Sequence, residues 1–137
     1  MARGANQKLK LLYLKQFFEE KTDEEHPATM QQILDYLKAN GVDAERKSIY
    51  EDLDFLKKLG LDVQILRRSK NTGYYIGART FALSELKLLV DAVQSSKFIT
   101  ESKSLDLIGR IEKLGSSFQA KQLRHQVWVR GLFLLLE

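Results

Sequence analysis

Cysteine is absent from this chain of 137 residues, which excludes disulfides, thiolate metal sites and cysteine catalysis and fits a cytosolic protein. Histidine occurs only as His26 and His125, far apart. The cluster Asp23-Glu24-Glu25-His26 therefore reads as a solvated acidic loop, and no metal site is expected. No apolar run approaches the roughly 18 residues of a membrane span, and the N-terminus lacks the apolar core of a signal peptide. The expectation is a soluble cytoplasmic protein without membrane contact. Neither sign of charge dominates: 22 Lys and Arg face 18 Asp and Glu, net +4. Residues 1–80 hold 14 basic against 12 acidic side chains and residues 81–137 hold 8 against 6, so each part is +2. Without a basic tail, a nucleic-acid partner would have to be met by locally placed charge. No phosphate loop, zinc-ligand spacing or paired-carboxylate site occurs. Ser84-Glu85-Leu86-Lys87 matches the Ser-x-x-Lys pattern of some acyl-enzymes, but the serine begins a helix and no companion motif follows. Neither catalysis nor a cofactor is expected.

What is present is helical periodicity, interrupted once. Asn6 to Glu20 reads as a first helix with Leu9, Leu12, Tyr13 and Phe17 inward and Lys8, Lys10 and Lys15 off that stripe. Pro27, the only proline, forbids its continuation. Thr29 and Gln32 form a capping-box pair for a second helix, Met30 to Ala39, with Met30, Ile33, Leu34 and Leu37 inward. Asn40-Gly41 is a left-handed stop, and Asp43 is the expected N-cap of the next helix.

The stretch from Ala44 through Leu56, in a third helix closed by Leu59-Gly60, carries the most informative pattern. Ile49, Leu53, Leu56 and Gly60 share one narrow face, while Arg46, Lys47, Tyr50 and Glu51 spread over the flank and far side. A buried stripe thus fixes a helix whose first two turns carry cationic and hydroxyl groups, as a DNA-reading helix requires. Two amphipathic helices joined by a short glycine turn make a helix-turn-helix unit. Leu61 to Arg67 then alternates at Val63, Ile65 and Arg67 as a strand, and Tyr74-Tyr75-Ile76 is a short return strand. The turn between them carries Arg67, Arg68 and Lys70 with no acidic residue, a tip suited to phosphate or minor groove.

Arg46-Lys47-Ser48-Ile49-Tyr50-Glu51-Asp52-Leu53, followed by a hairpin ending Gly73-Tyr74-Tyr75-Ile76, resembles the DeoR-like winged helix-turn-helix of bacterial WYL-domain transcriptional regulators. The stretch from Phe81 to Thr100 is similar to the helical connector that follows the wing in that family. The resemblance covers roughly Leu9 to Val129. It implies a bacterial regulator that binds double-stranded DNA. The family continues into a β-rich WYL sensor domain; Trp128 is not followed by Tyr-Leu, and the expectation is a chain lacking that sensor and its effector.

The second half reads as helices by periodicity alone. Ser84 is expected to cap a helix through Val93. Ser104 to Gly115, begun near Thr100 or Ser102, is a second, Phe118 to Leu123 a short last one, and Gln126 to Val129 an extended segment. Several apolar faces on so short a segment point to a core shared with a partner. The apolar tail Leu132 to Leu136 is expected to pack on that partner.

The expected architecture is mainly α with a small β-hairpin wing: a winged helix-turn-helix over residues 1–79 and a helical linker and dimerisation segment over 80–137. The expected DNA contacts are Arg46, Lys47, Ser48 and Tyr50 in the groove, Thr29 with its neighbouring N–H groups on the backbone, and Arg67, Arg68 and Lys70 on the wing. Lys47 and Tyr50 are candidates for bases, Ser48 for a phosphate and Arg46 for either. Glu51 is placed either to accept from a cytosine amino group or to pair with Lys47 at i, i+4. The competing reading is a winged-helix protein–protein adaptor, favoured by Glu45, Glu51, Asp52 and Asp54, which leave the helix less basic than that of a strong DNA binder.

Overall fold

A computed structural model describes the backbone of residues 3–136 and the side chains of residues 6–131. The elements are α1 (Arg3–Lys21), α2 (Met30–Ala39), α3 (Arg46–Lys58), β1 (Val63–Leu66), β2 (Gly73–Ile76), α4 (Leu83–Ser95), α5 (Glu101–Glu112) and α6 (Ser117–Leu136). The chain is mainly helical, with one antiparallel pair of strands. It divides into two compact units, Met1–Ala78 and Arg79–Glu137. No helix among the described residues is long and apolar enough to cross a membrane.

The first unit closes around Leu14, Phe17 and Phe18 of α1, Ile33 and Leu37 of α2, Ile49, Leu53 and Leu56 of α3, and Val63, Tyr74 and Ile76 of the hairpin. The inward face of α1 is not the one its leucines suggest. Leu9 and Leu12 are 44% and 62% exposed, whereas Lys10 is buried. The face that packs runs Lys10, Leu14, Phe17, Phe18, with Tyr13 only half-buried. Its polar member is neutralised from α3: the Lys10 ammonium stands 2.8 Å from Oδ2 of Asp52, both side chains almost fully buried. The contact is an ion pair without the directionality of a hydrogen bond. A partner on another helix therefore decides which stripe of α1 turns inward, and periodicity within α1 could not reveal it.

The end of α1 is tied to the hairpin. Buried Thr22 donates its hydroxyl to the Phe18 carbonyl at 2.7 Å and accepts the Ile76 N–H at 3.0 Å. The acidic loop that follows is more ordered than a solvated one. Asp23 is buried, and its Oδ1 accepts the Glu25 N–H at 2.9 Å and lies 2.8 Å from His26 Nδ1. Ala28 then bridges to Tyr74.

Around α2 the local signals match the structure: Thr29 and Gln32 make both halves of the capping box, and Gly41 takes φ +79° past the end of the helix. Leu34 is half-buried. The N-cap of α3 is Glu45, not Asp43, and no side chain caps it. Val42, drawn into the core, leaves residues 43–45 to carry the chain to the start of α3, so Asp43 lies too early to cap.

The hairpin pairs Val63 with Ile76 and Leu66 with Gly73, shorter than the strand expected from Leu61 to Arg67. Ile65 is 39% exposed, because beyond Val63 β1 runs out past the helices as a two-stranded ribbon. Two contacts close its base. A Cβ on Gly73 would stand 2.8 Å from Cβ of Pro27, so only glycine lets that proline approach. The Asp62 carboxylate accepts the Ala78 N–H and the Gln64 amide, each at 2.6 Å. These donors, the Ala78 N–H first, hold its pKa below the usual carboxylate value.

In the second unit Leu86 and Val90 of α4, Ile108 of α5 and Leu123 of α6 are buried together. Ser84 lies inside α4; the N-cap is Ala82, whose N–H is accepted at 2.8 Å by Glu85 reaching back. Thr100 caps α5 by accepting the Lys103 N–H. Ser116 and Gln119 satisfy each other's N–H groups at the start of α6, at 3.0 and 3.1 Å. From there α6 is continuous to Leu136, which overturns both the short helix ending at Leu123 and the extended Gln126–Val129. The β-branched and aromatic run Val127-Trp128-Val129 suggests a strand, but contacts one helical turn apart bind the segment to α4. Gln126 Nε2 donates to the Lys87 carbonyl at 3.1 Å, and Arg130 holds Asp91 and Ser95. The expected packing of the Leu132–Leu136 side chains lies outside the described residues.

Breaking the Lys10–Asp52 pair from one side strands a buried charge, at a cost of about 3–5 kcal/mol. Lys10→Met and Asp52→Leu should each be destabilising to that degree in urea unfolding followed by circular dichroism. The double variant should recover most of the loss, because two apolar groups replace the pair. Small, additive losses would show that the pair does not set the packing of α1.

Candidate functional site

Ile49, Leu53 and Leu56, each at most 2% exposed, pin α3 to the core. Its first two turns therefore face outward: Arg46, Lys47 and Tyr50 are exposed and Ser48 is half-buried. Asp52 belongs to the buried side with Lys10, so the outer acidic groups of this helix are Glu45, Glu51 and Asp54. Among the described residues no ion pair joins Lys47 to Glu51, and the Lys47 ammonium is left to solvent.

The side chains named from the sequence converge on one that was not: Tyr74 of β2, 3% exposed. Its backbone exchanges two hydrogen bonds with Ala28, at 2.7 and 2.8 Å, which sets Thr29 and the start of α2 beside it. On the other edge it pairs with Ile65 of β1. The Tyr50 hydroxyl on α3 and the charges of Arg46 and Arg67 bear electrostatically on its own hydroxyl. Burial, first, and the Tyr50 hydroxyl push the Tyr74 pKa up to about 12, against the pull of the two guanidinium groups. The start of α2, the start of α3 and the base of the hairpin thus meet at one phenol.

Of the eight candidate residues, Thr29, Arg46, Tyr50 and Arg67 belong to this junction. Lys47 projects from α3 beside it, while Arg68 and Lys70 lie exposed further out on the hairpin tip. Thr29 Oγ1 accepts the Gln32 N–H and its own N–H is taken by Gln32 Oε1. Its hydroxyl proton and the first N–H groups of α2 are what it has to offer outward. Ser48 is the least available of the set, because its hydroxyl already donates to the Glu45 carbonyl at 2.8 Å. It would have to give up that bond to donate to a phosphate.

The sequence did carry a signal for Tyr74. Strand alternation puts it on the same face as Ile76, and a phenol on an inward face needs a partner for its hydroxyl. Among the described residues no group of three or more potential metal ligands occurs. The junction offers cations, hydroxyls and backbone N–H groups, all of which can donate hydrogen bonds to an anion. No protein-family model, curated protein or solved structure matches the chain.

Tyr74 keeps its proton more tightly in the folded chain, about 12 against 10.0. The stability this represents is fully present below pH 10 and is lost as pH rises through about 12. Absorbance titration at the tyrosinate band should therefore show a late-ionising phenol that Tyr74→Phe removes. The same substitution should flatten the fall in stability over that window. A titration with all the tyrosines near their ordinary value would contradict the buried junction.

Proposed function

We propose that residues 1–79 are a winged helix-turn-helix that binds double-stranded DNA in a sequence-specific manner for transcriptional control. In this reading α3 enters the major groove, the start of α2 meets the phosphate backbone and the hairpin is the wing. The observation that carries it is the convergence of Thr29, Arg46, Tyr50 and Arg67 around Tyr74, with Lys47, Arg68 and Lys70 exposed beside and beyond it. One junction then presents donors to bases and to phosphates at once, which readout with positioning requires. The resemblance of Arg46–Leu53, the hairpin and Phe81–Thr100 to WYL-type regulators points the same way and suggests a bacterial cytoplasmic protein. Residues 80–137 act as the dimerisation segment, since their core is small while Leu88, Phe98, Leu105 and Trp128 are 57–100% exposed. The chain is neither an enzyme nor a cofactor carrier in this account. A protein–protein adaptor is the competing reading, favoured by Glu45, Glu51 and Asp54 on the outside of α3.

Recovery of bound duplexes from a random pool tests the reading directly. Enrichment of two inverted half-sites about one helical turn apart is expected of a dimeric binder. No enrichment, with dimerisation intact, would favour the adaptor. On the recovered duplex, changing Arg67, Arg68 and Lys70 together to Ala should weaken binding to all sequences. It should also make the slope of log affinity against log salt shallower by about 0.9 per lost phosphate contact. An unchanged slope would place the hairpin tip away from DNA.

A further inference from the structure

We propose that two copies of this chain meet through the face shared by α4 and α6, with Trp128 of each seated in a groove of the other that is lined by Lys87 and Lys121. The inference rests on the dimeric part of the reading above and names the surface it would use. The two helices are held side by side. Gln126 Nε2 donates to the Lys87 carbonyl at 3.1 Å, and Arg130 donates to Asp91 and Ser95 one turn further on. Between them runs an open groove of about 440 Å³, lined by Lys87, Lys121, Gln122, His125 and Gln126. It continues past His125 and Gln126 to Val129 and Arg130. Two large apolar groups stand in water beside it, Leu88 on α4, 70% exposed, and Trp128 on α6, 64% exposed. Lys121, His125 and Trp128 follow at i, i+4, i+7 and so share one side of α6. Trp128 stacks on His125, with ring centroids 6.3 Å apart.

The charges decide what fits this groove. No acidic residue occurs on α6 between Ser117 and Gly131. Arg124 and Arg130 have carboxylates from neighbouring helices, Glu112 and Asp91. Among the described residues Lys87 and Lys121 form no ion pair, so the groove holds two ammonium groups without a counter-ion. An ammonium group is attracted to the electron-rich face of an aromatic ring, tryptophan best of all. The same surface supplies that ring, already turned outward. A knob and a recess on one face are exchanged by a two-fold axis lying in that face, so both contacts form at once in an isologous pair. The approach also covers Leu88 on the opposite rim. A large aromatic seated in a pocket among near-neutral contacts is the usual energetic centre of an interface.

Trp128 is the only tryptophan, so its fluorescence reports on this contact alone. The full chain would be diluted through its self-association while its mass is followed by light scattering. As the dimer forms, the emission should move to shorter wavelength and quenching by acrylamide should fall. Trp128→Ala should weaken self-association by about thirtyfold, the loss expected of an interface anchor. Lys87→Gln together with Lys121→Gln should weaken it by about threefold, the range of an exposed ammonium–aromatic contact. On top of Trp128→Ala the lysine substitutions should cost nothing further, because the ring they face is gone. All three residues are exposed, so thermal melting at monomer concentrations should not move. The inference is overturned if Trp128→Ala associates as tightly as the unsubstituted chain, or if the lysine losses persist in full without the indole. A chain that stays monomeric at every concentration removes the dimeric reading and this inference with it. A dimer whose Trp128 remains as quenchable as the monomer's removes the inference alone and leaves the groove to an acidic partner.

Discussion

Buried Tyr74 constrains the first unit more than any other single residue, because its strand is paired on both edges, with Ala28 at the entry to α2 and with Ile65 of β1. Its N–H and carbonyl are used by Ala28, at the entry to α2, and the Tyr50 hydroxyl of α3 bears electrostatically on its phenol. Moving the hairpin base away from Ala28 would leave two backbone polar groups unmet beside a side chain almost closed to water. Gly73 and Pro27 add a steric version of the same constraint, since a side chain at residue 73 would collide with the proline ring. The hairpin is therefore not an independent appendage. Its base is locked to the helices, and its tip carries Arg67, Arg68 and Lys70 from a fixed root.

The electrostatics of α3 follow from a second buried contact. Counted along the sequence, Glu45, Glu51, Asp52 and Asp54 cancel Arg46, Lys47, Lys57 and Lys58. In three dimensions Asp52 is removed from that count by Lys10, which itself comes from α1. The exposed start of the helix holds Arg46 and Lys47, with Arg67 brought close by the hairpin. Lys57 and Lys58 sit in its last turn, where cations suit the negative end of the helix dipole. A chain of modest net charge can in this way concentrate donors where one face needs them.

Local signals were legible and contacts between distant segments were not. Thr29 with Gln32 and Asn40-Gly41 framed α2 because caps are made within a few residues. Ile49, Leu53 and Leu56 identified the buried stripe of α3 and hence its exposed residues. The inward face of α1 was misjudged because Lys10 is admitted to the core only by Asp52, on another helix. The continuity of α6 is hidden because Val127, Trp128 and Val129 are β-favouring residues, and it is Gln126 and Arg130, held on α4, that bind the segment as a helix. Four of the candidate residues could be named from helix and turn positions, but their meeting point could not. Alternation could place Tyr74 on the inward face with Ile76, but its bridge to Ala28 joins segments far apart in the sequence.

The central claim is that the start of α2, the start of α3 and the hairpin form one DNA-facing surface. Titrating the isotopically labelled chain with the recovered duplex and following backbone amide resonances addresses all three segments at once. The account predicts shifts concentrated at Thr29, at Arg46 to Tyr50 and at Arg67 to Lys70. Shifts confined to residues 79–137, or affecting only one of the three segments while the duplex stays bound, would contradict it.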